Sequence, residues 1–476
     1  EQGQVAGRAY REFRQHFPRP GWVEHDANEI WDVTKAVAHQ AMEAAGVDGG
    51  GLRGIGIVNQ RETVVAWEPV SGEPLHRALV WQDRRTAARC DALREAGHEP
   101  LVRARTGLVL DPYFSATKIE WLLDHVDGLR ERALQGRACF GTIDSWVVFK
   151  LTGEHLTDVT NASRTLLYDI ARGDWDDDLL ALVGDVPRAA LPEVRPSIGA
   201  FGRLRDGALP GHDGVPIAGI AGDQQAALYG QGCLDEGQGK NTYGTGSFVL
   251  VNAGERPPPP PSGLLATVAW GIGERTTYAL EGAIFVTGAG VQWLRDGLGI
   301  IERAADSEAL AASLDSNDGV YFVPALTGLG SPHWDAYARG ALVGLTRGST
   351  RAHLARATLE AIAYQTVDAV RAMERASGQA LAELRADGGA TVNRWLMQFQ
   401  ADVLGVPIAV AEVSETTALG AALLAGVGVG AWTQDDVARR EGARARYEPR
   451  MDVDERDALL NQWERAVERA RGWVQG

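Results

Sequence analysis

A chain of 476 residues, 45% hydrophobic and 23% charged, exceeds the size at which one hydrophobic core stops growing, which excludes a single small module and points to two domains. Its 47 Lys and Arg against 63 Asp and Glu leave a formal charge of −16, which excludes bulk attraction to nucleic acid and obliges any anionic substrate to be met by local compensation. Three widely spaced cysteines, Cys90, Cys139 and Cys233, exclude a disulfide framework and fit small buried residues in a reducing, cytoplasmic setting.

In chain order, Gly7-Arg-Ala-Tyr-Arg-Glu-Phe13 alternates and predicts a strand. Asp26 with Glu29 forms a D-x-x-E capping box, and Ile30, Val33, Val37 and Ala41 then share one helical face that Gly46 ends. From Leu52 to Val58 apolar residues alternate with Gly, predicting a strand that runs into Asn59-Gln60-Arg61-Glu62-Thr63 before Val64–Trp67 resumes. An Arg-Glu pair between two strands is either a surface ion pair or a hydroxyl-reading site. By these residues alone the surface reading is favoured, although an exposed pair contributes little. Ala78-Leu-Val-Trp81 predicts another strand, with Trp81 either core or pocket wall, and Asp111 to His125 combines a turn with a helix carrying Trp121 and Leu122.

The stretch Val215-Pro-Ile-Ala-Gly-Ile-Ala-Gly-Asp223-Gln224-Gln225 is an apolar run bounded by Gly, as in a strand covered on both faces. Asp223 stands at its carboxyl end, where open α/β sheets bind ligands, although Asp is equally a preferred helix cap. A second Gly-punctuated turn follows in Lys240-Asn-Thr-Tyr-Gly244-Thr245-Gly246-Ser-Phe248. The chain holds four lysines (Lys35, Lys118, Lys150, Lys240) and no G-x-x-x-x-G-K-[ST] loop, so a bound phosphate must rest on backbone N–H groups and a metal. Pro257 to Pro261 predicts an extended surface loop. Thr287-Gly288-Ala-Gly-Val-Gln292 opens a helix, and Asp387-Gly388-Gly389-Ala-Thr-Val-Asn393 ends a strand around Leu384 and opens another. The uncharged stretch Ala418–Trp432 is too short and Gly-rich to span a bilayer and reads as a buried helix. Leu459, Leu460, Trp463, Val467 and Ala470 line one face of a closing helix.

The spacing of Tyr113, Ser115, Lys118, Trp121, Asp124 and His125 resembles the first signature of the FGGY carbohydrate kinase family. Gly340-Ala-Leu-Val-Gly344-Leu, with His353-Leu354 and Ala357-Thr-Leu-Glu360, is similar to its second. Asn59–Thr63, Val80–Arg85 and Gly222–Ala226 resemble the glycerol kinase branch more than the pentulose kinases, and the similarity runs from about Phe13 to Trp473. The resemblance implies an α/β fold of two actin-like, ribonuclease-H-like domains with a cleft between them. The amino-terminal domain, 1–231, would carry the polyol site and the carboxyl-terminal domain, 232–476, the nucleotide site.

The activity so implied is ATP-dependent phosphorylation of glycerol to sn-glycerol 3-phosphate with Mg2+; the alternatives are another sugar or polyol kinase of the family, or a non-catalytic polyol-binding remnant. By resemblance the glycerol site is Arg61, Glu62, Tyr113, Asp223 and Gln224, with Trp81 and Phe248 against the carbons and Asp223 as catalytic base. The nucleotide site is Thr245, Gly288, Gln292, Gly389 and Asn393, and no protein residue is assigned to the metal. Neither nucleic acid nor membrane is expected as a partner, and homo-oligomerisation stays open. The family's Asp-x-Gly-Thr-type turn has no counterpart before Gly7, so the first strand and its phosphate turn are expected to be missing, and the chain as it stands to bind glycerol weakly and phosphorylate it poorly.

Overall fold

Between Ile217 and Gly222 there is no charge and every residue is buried, so this strand can be covered on both faces. It runs parallel to the strand Ile55–Asn59, with Gly222 opposite Asn59. The covering layer is the helix Thr416–Gly428, built from small apolar residues. Glycine is required where it lands: a Cβ at Gly56 would lie 2.1 Å from the Ala421 carbonyl oxygen, and one at Gly219 2.5 Å from the Ala425 nitrogen. The structure, a computed structural model, describes residues 4–47, 50–259, 262–413, 415–440 and 442–474. Because the two strands are parallel, their carboxyl ends lie side by side, and the residues that follow, Arg61 and Glu62 on one and Asp223 on the other, emerge together.

The second half of the chain supplies a seven-stranded mixed sheet. Its order is Leu265–Ile272, Arg275–Ile284, Ser247–Gly254, Gly239–Tyr243, Leu384–Asp387, Ile408–Ala411 and Ala443–Tyr447. The first four strands pair antiparallel, whereas Gly239–Tyr243, Leu384–Asp387 and Ile408–Ala411 are mutually parallel. The helix Arg351–Ser377 packs on this sheet, and the closing helix Val453–Ala470 buries Leu460, Trp463, Val467 and Ala470 beside it, with Trp463 stacked on Tyr364 at 5.3 Å. Ile198 bridges Gly219 of the first half and Ile272 of the second, and one apolar core runs from Val64 to Ala470, so the two α/β halves are joined through sheet and core alike.

Two expectations change. Residues 7–13 form no strand: a Cβ on Gly7 would lie 2.3 Å from the Ala41 carbonyl oxygen, so the segment lies against the helix Ala27–Ala45, whose backbone groups are already paired internally. Alternation supplied the period of a strand but not a partner, and only Gln15–His16 finds one, in Glu24–His25. The capping box is half formed, since Asp26 accepts from Asn28 and Glu29 N–H while the Glu29 carboxylate turns to Arg14 N–H at 3.1 Å. The proline run is only partly on view: Pro257–Pro259 lie in neither strand nor helix, and Pro260 and Pro261 fall outside the described residues.

The cysteines are buried and unpaired, and burial pushes the Cys90 and Cys139 thiols up to about 11 and Cys233 to about 12, as expected of small core residues. Among the described residues no helix is long and apolar enough to cross a membrane.

Candidate active site

Arg61 and Glu62, next to one another in sequence, do not make each other's short contacts. The Arg61 guanidinium donates to Glu281 at 2.6 and 3.2 Å and lies 3.7 Å from Glu62, while Arg164 donates to Glu62 at 2.7 Å and to Glu281 at 3.0 Å. Two arginines and two glutamates thus close a ring with no net charge. Arg61 and Glu62 are 2% and 1% exposed, which overturns the surface reading of the pair. Burial alone would push Glu281 up, but Arg164 and Arg61 outweigh it and hold the carboxyl down to about 2. Glu62 receives a single short guanidinium contact, so burial wins there and its carboxyl sits above the ordinary value despite Arg61 and Arg164. Its backbone is held at a positive φ of 61°, with the carbonyl accepting from the Ser115 hydroxyl at 3.0 Å, a conformation that persists only where the surroundings fix it.

Asp223 begins the helix Asp223–Gly230, and Gly222 holds the capping position, so the helix-cap reading of the aspartate gives way. A Cβ on Gly222 would lie 2.7 Å from the Arg61 side chain, which is why the residue before the acid has none. Arg61 Nε approaches Asp223 Oδ1 at 3.2 Å, and the Asp223 side chain is 36% exposed where every member of the ring beside it is enclosed. One carboxylate of a buried charge cluster therefore faces solvent. Gln224, the next residue, accepts at Oε1 from Lys240 Nζ at 2.5 Å.

Tyr113 is placed by the turn that precedes the helix Ala116–His125. Lys118, in the first turn of that helix and fully buried, donates from Nζ to the carbonyls of Pro112, Tyr113 at 3.0 Å and Phe114 at 3.1 Å. The Tyr113 phenol accepts from Arg61 at 3.5 Å and burial pushes it up, so it keeps its proton. Trp81 packs edge-to-face on Tyr113 with ring centroids 5.5 Å apart and is half-buried, in keeping with a pocket wall. Phe248, on the strand paired with Gly239–Tyr243, is also half-buried, and its carbonyl accepts from Lys240 at 3.3 Å. Five of the seven residues expected to form the polyol site are thus linked by direct contacts through Arg61, Tyr113 and Trp81, and Gln224 and Phe248 join through Lys240.

In the seven-stranded sheet, the parallel pairing of Gly239–Tyr243 with Leu384–Asp387 sets Thr242 opposite Asp387, so the loops that follow adjoin. Gly388, at φ 91°, lies against Tyr243, whose carbonyl oxygen would be 2.4 Å from a Cβ there. The Gly244–Gly246 turn is tied to the helix Gly288–Gln292: Thr245 O accepts from Thr287 and Ala289 N–H at 2.9 and 3.0 Å, and Gly244 O from Gly288 N–H at 3.0 Å. The structure therefore brings Thr245 and Gly288 together, with Gly389 following the loop beside them. Thr245, Gln292 and Gly389 are exposed. Asn393 caps the helix Arg394–Leu404 through Oδ1 to Leu396 N–H at 2.9 Å and reaches Ser307 with Nδ2 at 3.5 Å, and no direct bond links it or Gln292 to Thr245. Among the described residues no three His, Cys, Asp or Glu lie close enough to hold a metal ion.

Reading the sequence missed Arg164, Glu281 and Lys240 as parts of this site. Glu281 did leave a signal, as the lone charge in the apolar run Tyr278–Ile284, and so did Lys240, as one of only four lysines set in a strand. Arg164 left none, because Ser-Arg-Thr reads as an ordinary turn.

Residues 1–230 match the amino-terminal domain of the FGGY family of carbohydrate kinases and residues 239–429 its carboxyl-terminal domain. The chain is 56% identical over 475 residues to a glycerol kinase of Deinococcus radiodurans, covering 99% of this chain and 94% of the relative, and 53% identical over 476 residues to glycerol kinase 2 of Thermotoga maritima, covering 99% and 95%. Among solved structures it resembles Plasmodium falciparum glycerol kinase with ADP (TM-score 0.91, 34% identity, 98% of this chain and 93% of that one) and xylulose kinase from Rhodospirillum rubrum (TM-score 0.84, 27% identity, 96% and 92%). A partly exposed carboxylate on a buried ion ring, both signatures in place and both family domains matched along the chain carry one conclusion: the chain belongs to the FGGY family of carbohydrate kinases.

Proposed function

We propose that the protein transfers the γ-phosphoryl group of ATP to a terminal hydroxyl of glycerol, giving sn-glycerol 3-phosphate. The observation that carries this reading is Asp223, the partly exposed carboxylate of an otherwise enclosed charge cluster, held by Arg61 at 3.2 Å. Glycerol presents three hydroxyls on a short carbon edge. Guanidinium, carboxylate, phenol and carboxamide groups can satisfy each oxygen, while Trp81 and Phe248 exclude water from the carbons. Asp223 accepts the proton of the attacking hydroxyl as the oxygen reaches phosphorus. A loose transition state asks the protein mainly for alignment and charge neutralisation.

Thr245, Gly288, Gln292, Gly389 and Asn393 form the nucleotide side in this reading, with backbone N–H groups of the Gly-rich turns against the phosphates. Mg2+ keeps several waters and binds through one or two carboxylates plus substrate phosphates, which suits a site with a single exposed acid and no three-residue metal cluster among the described residues. The ion would arrive with ATP, held mainly by the substrate phosphates and water. The high identity to relatives named glycerol kinase supports glycerol as the acceptor over other polyols.

Asp223→Asn tests the assignment. The amide keeps the shape but cannot take a proton, so glycerol should still bind within a few-fold of the parent, by calorimetry, while glycerol-dependent ADP release falls roughly 10²- to 10⁴-fold. Turnover near the parent level would remove Asp223 from the chemistry. A panel of glycerol, erythritol, dihydroxyacetone and xylulose reads the acceptor separately, and a pentulose preferred over glycerol would overturn the substrate.

A further inference from the structure

Lys240 is fully buried on the strand Gly239–Tyr243, and no carboxylate lies within ion-pair distance of it among the described residues. Its three N–H groups go instead to Gln224 Oε1 at 2.5 Å, Thr242 Oγ1 at 2.8 Å and the Phe248 carbonyl at 3.3 Å. An ammonium has donors only. Whatever faces it must be an acceptor, so the Gln224 carboxamide is forced to turn its oxygen to Lys240 and its NH₂ group away from the ammonium. The same ammonium holds the backbone of Phe248, one strand over, and so ties both residues to the hairpin whose turn carries Thr245.

We propose that Lys240 is a positioning residue for acceptor binding, which fixes the flip of the Gln224 carboxamide so that the site offers an N–H donor next to the Asp223 carboxylate. A polyol hydroxyl there donates its hydrogen to Asp223 and accepts one from Gln224, a pattern that an ether or a hydrogen at that carbon cannot complete. This rests on the reading of the cleft as a polyol site. Keeping a cation so deep in the protein is unfavourable: burial pushes the Lys240 amine down to about 8, against the opposing pull of Asp387, Asp223 and Glu281. A methionine at this position would fill the space without that desolvation. A lysine held at such a cost is accounted for by the carboxamide it orients.

The test is a double-substitution cycle with Lys240→Met and Gln224→Ala, run on whichever polyol the parent phosphorylates fastest. A winner other than glycerol would sink the substrate reading and leave the cycle intact as a test of Lys240. Each single substitution should raise the polyol KM tenfold or more with kcat changed less than threefold and the KM for ATP unchanged. The double variant should be no worse than the poorer single one, because both remove one oriented donor. Additive losses, or an unchanged polyol KM in Lys240→Met, would overturn the proposal. Should Lys240→Met fail to fold, Gln224→Glu serves instead: its carboxylate keeps the contact with Lys240 but has no N–H, so its thermal midpoint should hold while the polyol KM rises at least tenfold. An unchanged KM in that variant would equally overturn it.

Discussion

At Arg164 the guanidinium divides between Glu62 and Glu281, and the third nitrogen, Nη1, is buried with no hydrogen bond. Replacing this side chain with methionine leaves two buried carboxylates sharing Arg61 alone, and breaking a buried ion array by removing one partner costs roughly 3 to 5 kcal/mol. Arg164→Met should therefore lower the unfolding free energy from urea titration by about that much and raise the glycerol KM, since Arg61 loses the neighbour that helps hold it. Arg164→Lys should recover less than half of the loss, because a point charge cannot span both carboxylates as a planar fork does. Full recovery by lysine would show that charge alone matters. At this scale the sequence was legible where a residue type is rare for its surroundings. Asp223 at a strand end stood out, and Glu281 within an apolar strand left a signal that went unread, whereas the partner that each charge selects depends on residues more than a hundred positions away.

The helix Ala116–His125 shows how an element serves a site that it does not itself enter. Its first turn places Lys118 beneath the preceding loop, where one ammonium binds three successive carbonyls and fixes the direction in which Tyr113 points. Lys118→Met should leave the helix intact, as its apolar face of Ile119, Leu122 and Leu123 is untouched. The freed loop should loosen Tyr113 and raise the glycerol KM severalfold, with the KM for ATP unchanged. A matching rise for ATP would place the effect elsewhere. Elements with an uninterrupted local pattern, such as Ile217–Gly222 and Val453–Ala470, were legible from their residues. The stretch 7–13 was not, because alternation states what a strand would look like and says nothing of whether a neighbouring backbone is free to pair.

Across the whole molecule, length indicated two domains, but it could not show that the helix Thr416–Gly428 from the end of the chain would cover strands near its beginning. That arrangement leaves the ends of the 55–59 and 217–222 strands joined by a buried polar network rather than by apolar packing. Asn59 donates to Asn161 and Asp144, Asp158 accepts from Thr160 and Asn161, and Thr160 in turn accepts from Gly222 N–H at 2.8 Å. Asp144 sits in this network with hydroxyl and amide donors but no cation. Burial pushes its carboxyl up to about 7, nearby Asp158 adds to the rise, and the hydrogen bonds from Thr142 and Thr157 oppose it. A carboxyl whose folded value is raised contributes stability that is complete below its unfolded value near 3.8 and is lost as pH climbs through about 7. Asp144→Asn imitates the protonated form at every pH. The thermal midpoint of the parent should thus lose ground to that of the variant steadily between pH 4 and pH 7, and the gap should level off above. His25 and His155, whose burial lowers both to about 4, titrate with the opposite sign in part of the same window, but they are common to both proteins and cancel in the difference. A difference independent of pH from 4 to 8 would mean that Asp144 is ionised throughout, and that the network which joins the two strand ends tolerates a buried charge.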